Sequence, residues 1–137
     1  MKLEHIGIAV SDLASSENLF EELLQSRVYK REEVRSQSVL TSFLRVDNVK
    51  IELLHSTDPD GPIGRFLEKN GEGVHHLAFE VDDIRAEADR LDKAGYELLN
   101  KTPVKGADNK WVVFLHPRST NRVLIELCQE IREDDDF

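Results

Sequence analysis

Alternating apolar and polar residues open two stretches of the chain that share one pattern. The segment HIGIAVSDL, which begins at His5, recurs 71 residues later as HLAFEVDDI, which begins at His76. In each copy a valine closes the alternation, and an aspartate (Asp12 or Asp83) stands seven residues after the histidine. Period-two alternation is typical of a half-buried strand, and aspartate is a good helix N-cap. Each copy therefore predicts a strand followed by a helix.

The similarity between the two halves continues beyond these helices. VKIELLH around Glu52 matches VLIELCQ around Glu126. Strand-like runs precede and include these segments, at residues 28–34, 39–46 and 50–55 in the first half and at residues 97–99, 111–116 and 123–128 in the second. The chain therefore predicts an α+β fold made of two tandem βαβββ modules. We expect the modules to form a curved sheet around a metal-binding cleft.

The repeat also sets the predicted domain organisation. We predict a single domain over residues 1–129, with one repeat at about 1–56 and the other at about 74–129. The turn-rich stretch 57–73 is predicted to be a linker that contains a short helix. Residues 130–137 are rich in acids and are predicted to form a frayed acidic tail.

A histidine and a glutamate recur at equivalent strand positions of the two halves, as His5 with Glu52 and His76 with Glu126. Each glutamate stands between apolar residues, where a carboxylate is costly to bury unless it is paired or binds a cation. A single glutamate of this kind would more simply occupy the solvent face of its strand. Because the repeat brings two imidazoles and two carboxylates toward one pseudo-two-fold axis, we favour a metal site. His75 would point to the opposite face of its strand from His76.

Two imidazoles and two carboxylates suit a divalent transition metal with a position left for water or substrate. We expect one ion, with Co²⁺ favoured and Mn²⁺, Ni²⁺, Fe²⁺ or Zn²⁺ as alternatives. The ligand types do not distinguish among these metals.

Charge and cysteine content narrow the classes of partner. The net charge of -9 makes nucleic acid an unlikely partner, because binding phosphates in number needs a basic face. The stretch from Lys101 to Arg122 nevertheless carries five basic residues and one acid, which predicts either a local anion site or a solvated loop. The single cysteine, Cys128, forms no internal disulfide, and MKLEHIGIAV has no apolar run typical of a signal peptide or membrane span. We therefore expect a cytoplasmic protein without a membrane partner.

Three segments carry a more specific signal: LEHIGIAVSDL, KIELLHSTDPDGPIGRFLEKNGEGVHHLAFEVDDI and FLHPRSTNRVLIEL. HIGIAV alone is shared across the vicinal oxygen chelate superfamily. The combination of GEGVHH with FLHPRS before VLIEL resembles the methylmalonyl-CoA epimerase family of that superfamily, over nearly all of residues 2–129. The resemblance implies an acyl-CoA thioester substrate and interconversion of (R)- and (S)-methylmalonyl-CoA by proton transfer at C2, through a metal-stabilised enolate. It also implies that His5, Glu52, His76 and Glu126 are the metal ligands.

Inversion at C2 requires proton-transfer groups on both faces of the substrate. Glu126 is the first candidate and Glu52 the second. Some members of the family have a glutamate base where Thr41 stands in this chain, and a threonine is not a base at neutral pH. The sequence therefore does not identify the second base.

The basic stretch provides candidates for binding the CoA phosphates. These are Lys105, Lys110 and Arg118, and His116 in FLHPRS is a further candidate for substrate contact. A homodimer is expected, because β-rich units with exposed sheet edges commonly associate. Two alternatives stay open: a glyoxalase-type lyase of the same superfamily, and a non-catalytic small-molecule binding or resistance protein.

Overall fold

The structure is a computed structural model that describes residues 1–136. It divides into two compact units. The first unit comprises His5–His75, and the second comprises Met1–Glu4 together with the residues from His76 onward. The predicted α+β class with two βαβββ modules is confirmed, since each module has one strand, one helix and three further strands in that order.

The first module contains four hydrogen-bonded strands. Its elements are β1 (Lys2–Ala9), α1 (Leu13–Leu24), β2 (Lys30–Val34), β3 (Val39–Val46) and β4 (Val49–Ser56), and helix α2 (Pro62–Asn70) follows them. The strand order is β2-β3-β4-β1. Strand β1 runs parallel to β4, and the other two pairings are antiparallel.

The second module has the same order of elements. They are β5 (Gly73–Glu80), α3 (Ile84–Lys93), β6 (Val104–Lys105), β7 (Lys110–Leu115) and β8 (Ile125–Glu130). The strand order is β5-β8-β7-β6, with β5 parallel to β8 and the other pairs antiparallel. The two modules therefore have the same strand order and the same pairing directions.

Both predicted helix caps are confirmed. The Asp12 carboxylate accepts the Ser15 N–H at 3.4 Å, and the Asp83 carboxylate accepts the Ala86 N–H at 3.1 Å. Each bond satisfies a backbone donor that the first helical turn leaves without a partner. The aspartate thereby fixes where the chain changes from strand to helix.

Each helix covers one face of its own sheet, which we call the helix face. Under α1 the buried apolar residues are Val10, Leu44 and Leu53, and under α3 the buried cluster contains Ile84, Ala88, Leu91, Val113, Leu115 and Leu127. Successive strand residues alternate between faces, so the intervening residues lie on the opposite face. That opposite face carries the histidines and glutamates singled out by the repeat, and we call it the site face.

One predicted strand is wrong. Residues 97–99 form no strand and contribute only an isolated bridge from Leu98 to Leu115, whereas the short strand β6 lies further along the chain. The Asn100 side chain explains the break, because it takes up hydrogen bonds that a continued strand would make. Its Nδ2 donates to the Val112 carbonyl at 3.0 Å and its Oδ1 accepts the Phe114 N–H at 2.9 Å.

The predicted acidic tail, residues 130–137, begins inside β8, which ends at Glu130. The Asp135 carboxylate accepts hydrogen bonds from the Arg132 N–H at 2.7 Å and from Trp111 Nε1 at 2.8 Å. These bonds lower the pKa of Asp135 and hold this part of the tail against β7. Phe137 lies outside the described residues. Among the helices in the described part of the chain, none has the length and apolar character needed to cross a membrane.

Candidate metal site

The first unit places His5 and Glu52 on neighbouring parallel strands. Gly7 is the residue of β1 in register with Glu52, and His5 stands two residues before it on the same face. The Nδ1 atom of His5 lies 3.1 Å from Oε2 of Glu52, and both side chains are buried. Gly7 has no side chain, so no Cβ atom of β1 stands directly opposite Glu52.

The second unit repeats this arrangement. Ala78 of β5 is in register with Glu126 of β8, and His76 again stands two residues before the small residue. The Nε2 atom of His76 lies 3.4 Å from Oε1 of Glu126, and both side chains are buried. The structure therefore brings each predicted histidine together with its own glutamate, in the same strand geometry in both units.

The distances suit two ligands of one cation. Ligand atoms about 2.0–2.2 Å from a metal lie about 3.0 Å apart at right angles and about 3.4 Å apart at the tetrahedral angle. An imidazole nitrogen and a carboxylate oxygen at 3.1 Å or 3.4 Å fit either arrangement. The same spacing suits a direct contact between imidazole and carboxylate, which satisfies these buried polar groups in another way.

Two phenylalanines that sequence reasoning missed lie beside the glutamates. Phe43 of β3 is in register with Glu52, and Phe114 of β7 is in register with Glu126. The Phe114 ring is edge-on to the His76 imidazole, with ring centroids 6.3 Å apart. The separation of Phe43 and Phe114 in sequence equals that of the two histidines, so the repeat itself contained this signal.

Lys50 is a second feature that the sequence analysis missed. It is in register with His5, lies on the site face two residues before Glu52, and is 3% exposed. Its Nζ atom lies 5.9 Å from the centroid of the Phe43 ring, and Lys30 Nζ lies 4.5 Å from the same centroid. A lysine inside the apolar segment VKIELLH was the available signal, since lysine is seldom buried without a partner.

His75 and Thr41 lie where the sequence indicated. The His75 ring meets the Phe66 ring of α2 edge-on at 4.9 Å, while the neighbouring His76 contacts Glu126. Thr41 is 1% exposed, and it shares the site face with Phe43 because both lie on β3 two residues apart.

The predicted CoA-binding lysines differ in position. Lys110 lies on the site face of β7 and is 6% exposed, with Nζ 3.5 Å from the Glu130 carboxylate. Lys105 is exposed, pairs in register with Trp111, and has its Nζ 6.0 Å from that ring. Since Trp111 packs against the cluster under α3, Lys105 lies on the helix face. The structure therefore places Lys110, and not Lys105, on the face that carries Glu126.

Arg118 and His116 occupy the short turn after β7. Arg118 donates two hydrogen bonds to the Glu97 carboxylate, each at 3.0 Å. The Arg118 bonds, which are the main cause, lower the pKa of Glu97. His116 Nδ1 accepts the Arg118 N–H at 3.0 Å. The two side chains thus belong to one hydrogen-bonded turn at the end of a strand.

Comparison with known proteins identifies the family. Residues 4–114 match the family described as the glyoxalase/bleomycin resistance protein/dioxygenase superfamily. The chain belongs to this superfamily. Among its relatives is the ethylmalonyl-CoA/methylmalonyl-CoA epimerase of Cereibacter sphaeroides, 41% identical over 130 residues that cover 93% of this chain and 97% of the relative.

Among the solved structures that are similar to this chain are methylmalonyl-CoA epimerases. A variant of the Streptomyces coelicolor methylmalonyl-CoA epimerase in complex with 2-nitronate-propionyl-CoA is 30% identical, covers 99% of both chains and has a TM-score of 0.92. A methylmalonyl-CoA epimerase in complex with methylmalonyl-CoA and NH4+ is also 30% identical, covers 98% of both chains and has a TM-score of 0.92. The predicted resemblance to methylmalonyl-CoA epimerases is therefore confirmed at the level of family membership.

Proposed function

We propose that this protein is a metal-dependent epimerase that interconverts (R)- and (S)-methylmalonyl-CoA. The observation that carries the proposal is the duplicated histidine–glutamate pair, 3.1 Å apart in one unit and 3.4 Å apart in the other. It occurs in a chain that is 41% identical to a named ethylmalonyl-CoA/methylmalonyl-CoA epimerase. The bound ligands of the related structures, methylmalonyl-CoA and 2-nitronate-propionyl-CoA, support an acyl-CoA substrate.

We propose that His5, Glu52, His76 and Glu126 together hold one divalent cation, with Co²⁺ the first ion to test. The chemistry of the donor set fits, because neutral imidazoles and ionised carboxylates are ligands of these metals. When bound, the cation supplies positive charge that stabilises the enolate formed as the C2 proton leaves. The duplicated pairs support a shared ion, since each alone supplies only two of the four ligands.

The remaining steps belong to the protein side chains. Glu126 is the first candidate to move the C2 proton, and Glu52 is the second candidate. Phe43 and Phe114, which lie opposite these glutamates, would exclude water from the reacting carbon. Exclusion of water strengthens the electrostatic interactions within the site.

The CoA phosphates need cationic partners, for which the candidates remain Lys105, Lys110 and Arg118, with His116 beside them. Lys110 has the strongest support because it is buried on the site face. Arg118 would have to exchange its contact with Glu97 for a phosphate, or bind the phosphate while keeping that contact. Guanidinium and ammonium groups both bind phosphate, although only guanidinium does so with two parallel bonds.

Solvent-deuterium incorporation tests the proposed reaction. The protein is stripped of metal with EDTA, reloaded with Co²⁺, and incubated in D₂O with one epimer of methylmalonyl-CoA. We expect the opposite epimer to appear with deuterium at C2 in the loaded protein, and little turnover in the stripped protein. No epimerisation in the loaded protein would contradict the proposal, and a parallel assay with a glutathione hemithioacetal would reveal glyoxalase activity instead.

We also propose that the protein forms a homodimer and is located in the cytoplasm. Small β-rich units with free sheet edges commonly associate as symmetric dimers. Light scattering of the purified protein tests the dimer, and cell fractionation tests the location. A monomer throughout the micromolar range would contradict the dimer.

A further inference from the structure

The site face of the first unit carries a carboxylate outside the proposed metal set. In the described strands β2, β3 and β4, and in β1 from His5 on, the glutamates of the site face are Glu52 and Glu32. Glu33 points to the opposite face, because it is in register with Leu40. We infer that Glu32 is a catalytic residue, namely the second proton-transfer group that inversion at C2 requires. The inference rests on the proposed epimerase function.

The strand register places Glu32 directly beside Thr41. Glu32 of the edge strand β2 and Thr41 of β3 form a cross-strand pair. Side chains of such a pair have Cβ atoms about 4.5–5.5 Å apart. Thr41 is short and 1% exposed, so longer neighbouring side chains cover it. A carboxylate from the neighbouring strand can therefore occupy the position that a long side chain at residue 41 would reach.

Lys30 of β2 links Glu32 to Phe43, which lies beside the proposed metal ligand Glu52. Lys30 Nζ lies 3.5 Å from the Glu32 carboxylate and 4.5 Å from the centroid of the Phe43 ring. Phe43 in turn is in register with Glu52. Lys30 thus holds the Glu32 carboxylate near the aromatic ring that is in register with the proposed metal ligand.

Glu52 is less suited to this role than Glu32. The Glu52 side chain is 4% exposed and contacts His5, so it is placed to stay on the cation. The Glu32 side chain is 35% exposed and lies outside the proposed ligand set, so it can take a proton and exchange it with water.

The proton balance is simple. The Glu32 carboxylate takes the C2 proton of one epimer, and the C–H electron pair moves into the thioester carbonyl to give the enolate. A proton donor on the other face of C2 then returns a proton, so that the opposite epimer forms. Glu32 ends protonated and that donor ends deprotonated. Exchange with water, or turnover in the reverse direction, restores the starting state.

The decisive experiment compares Glu32→Gln with Glu33→Gln in the metal-loaded protein. The Glu33 side chain is 51% exposed and lies on the other face, so it is a matched control of equal chemistry. Each epimer is incubated separately in D₂O. We expect Glu32→Gln to lower the epimerisation rate by at least about 100-fold, because general bases contribute about 10²–10⁴-fold. We expect Glu33→Gln to epimerise at the wild-type rate.

Isotope exchange separates a lost base from a disturbed structure. In Glu32→Gln, the epimer that Glu32 serves should not exchange its C2 proton for deuterium. The other epimer should still exchange without inverting, because the other proton-transfer group acts on it. A merely structural role would reduce both exchanges together, and that result would overturn the inference. The double variant Glu32→Gln with Thr41→Glu should recover part of the epimerisation, because it returns a carboxylate to the neighbouring position.

Two controls keep the result interpretable. If Glu32→Gln does not fold, the same measurement on Glu32→Ala decides the question, and the wild-type epimerisation rate in that variant would overturn the inference. If the wild-type protein itself does not epimerise, the proposed function fails. If the wild type epimerises and Glu32→Gln does so at the same rate, only the role of Glu32 fails.

Discussion

The Nδ1 atom of His5 lies 3.1 Å from the Glu52 carboxylate, although the two residues belong to different strands. The contact depends on the parallel pairing of β1 with β4, which sets Gly7 opposite Glu52 and leaves the imidazole two residues away. His76 and Glu126 repeat it with Ala78 in place of the glycine. Each unit therefore supplies one imidazole and one carboxylate from equivalent positions.

The Arg118–Glu97 pair permits a test of the proposed CoA contact. If Arg118 binds a phosphate, Arg118→Gln should raise KM several-fold with little change in kcat, since remote contacts of this kind are mainly binding contacts. Glu97→Gln removes the partner but keeps the guanidinium, so KM should stay unchanged or fall. Steady-state kinetics with methylmalonyl-CoA measures both. Equal KM values in Arg118→Gln and the wild type would leave Arg118 as a structural residue.

Glu17 predicts a pH-dependent contribution to stability. Its carboxylate on α1 accepts hydrogen bonds from Arg31 Nε and Ser42 Oγ, each at 2.6 Å. The Arg31 bond is the main cause that lowers the pKa of Glu17 below its usual 4.5, and the Ser42 bond adds to it. Because the folded pKa is depressed, the contribution is fully present above pH 4.5 and is lost as the pH falls through the folded pKa.

Replacement of this carboxylate by an amide measures the effect. Glu17→Gln should lower the free energy of unfolding by about 1–3 kcal/mol at pH 7, with the low end favoured because Arg31 is largely exposed. The difference from the wild type should shrink when urea denaturation is repeated below pH 4. Glu22→Gln, on the exposed side of the same helix, is the control. A difference that stays constant between these pH values would refute the assignment.

The helix caps give a simpler prediction. Asp83→Ala removes the carboxylate that accepts the Ala86 N–H, and loss of an N-cap costs about 0.5–2 kcal/mol. Asp12→Ala should have an effect of similar size because it caps α1 in the same way. Urea denaturation measures both, with Asp82→Ala as a neighbouring control that caps no helix. Unchanged stability in both cap variants would show that the caps contribute little.

Much of the fold could be predicted because both copies of the repeat have strong local sequence patterns. The histidine-led alternation, the capping aspartates and the matched glutamate segments all use short-range periodicity or capping, and each reappears in the structure. The same register explains why His5 meets Glu52 and His76 meets Glu126. Alternation along one strand puts only one of His75 and His76 on the site face, and the choice of His76 as the predicted ligand follows from its alignment with His5.

The features that were predicted wrongly or not predicted depend on contacts between distant segments of the chain. Strand β6 has two residues, too few to show a period, and the misplaced strand at residues 97–99 ends where the Asn100 side chain enters the ladder. The burial of Glu17 depends on Arg31 and Ser42 reaching it from two other elements, which local sequence does not reveal. Likewise, the run of basic residues that contains Arg118 gives no indication that this side chain contacts Glu97.

The number of metal ions held per chain tests the central claim most directly. Wild type, His5→Ala and His76→Ala are equilibrated with the same free Co²⁺ concentration, and the bound metal is measured by mass spectrometry. A shared site of four ligands predicts one ion per wild-type chain and nearly complete loss in both variants, although each removes a histidine from a different unit. Two ions per wild-type chain, or an ion retained in either variant, would contradict a single ion held by both pairs.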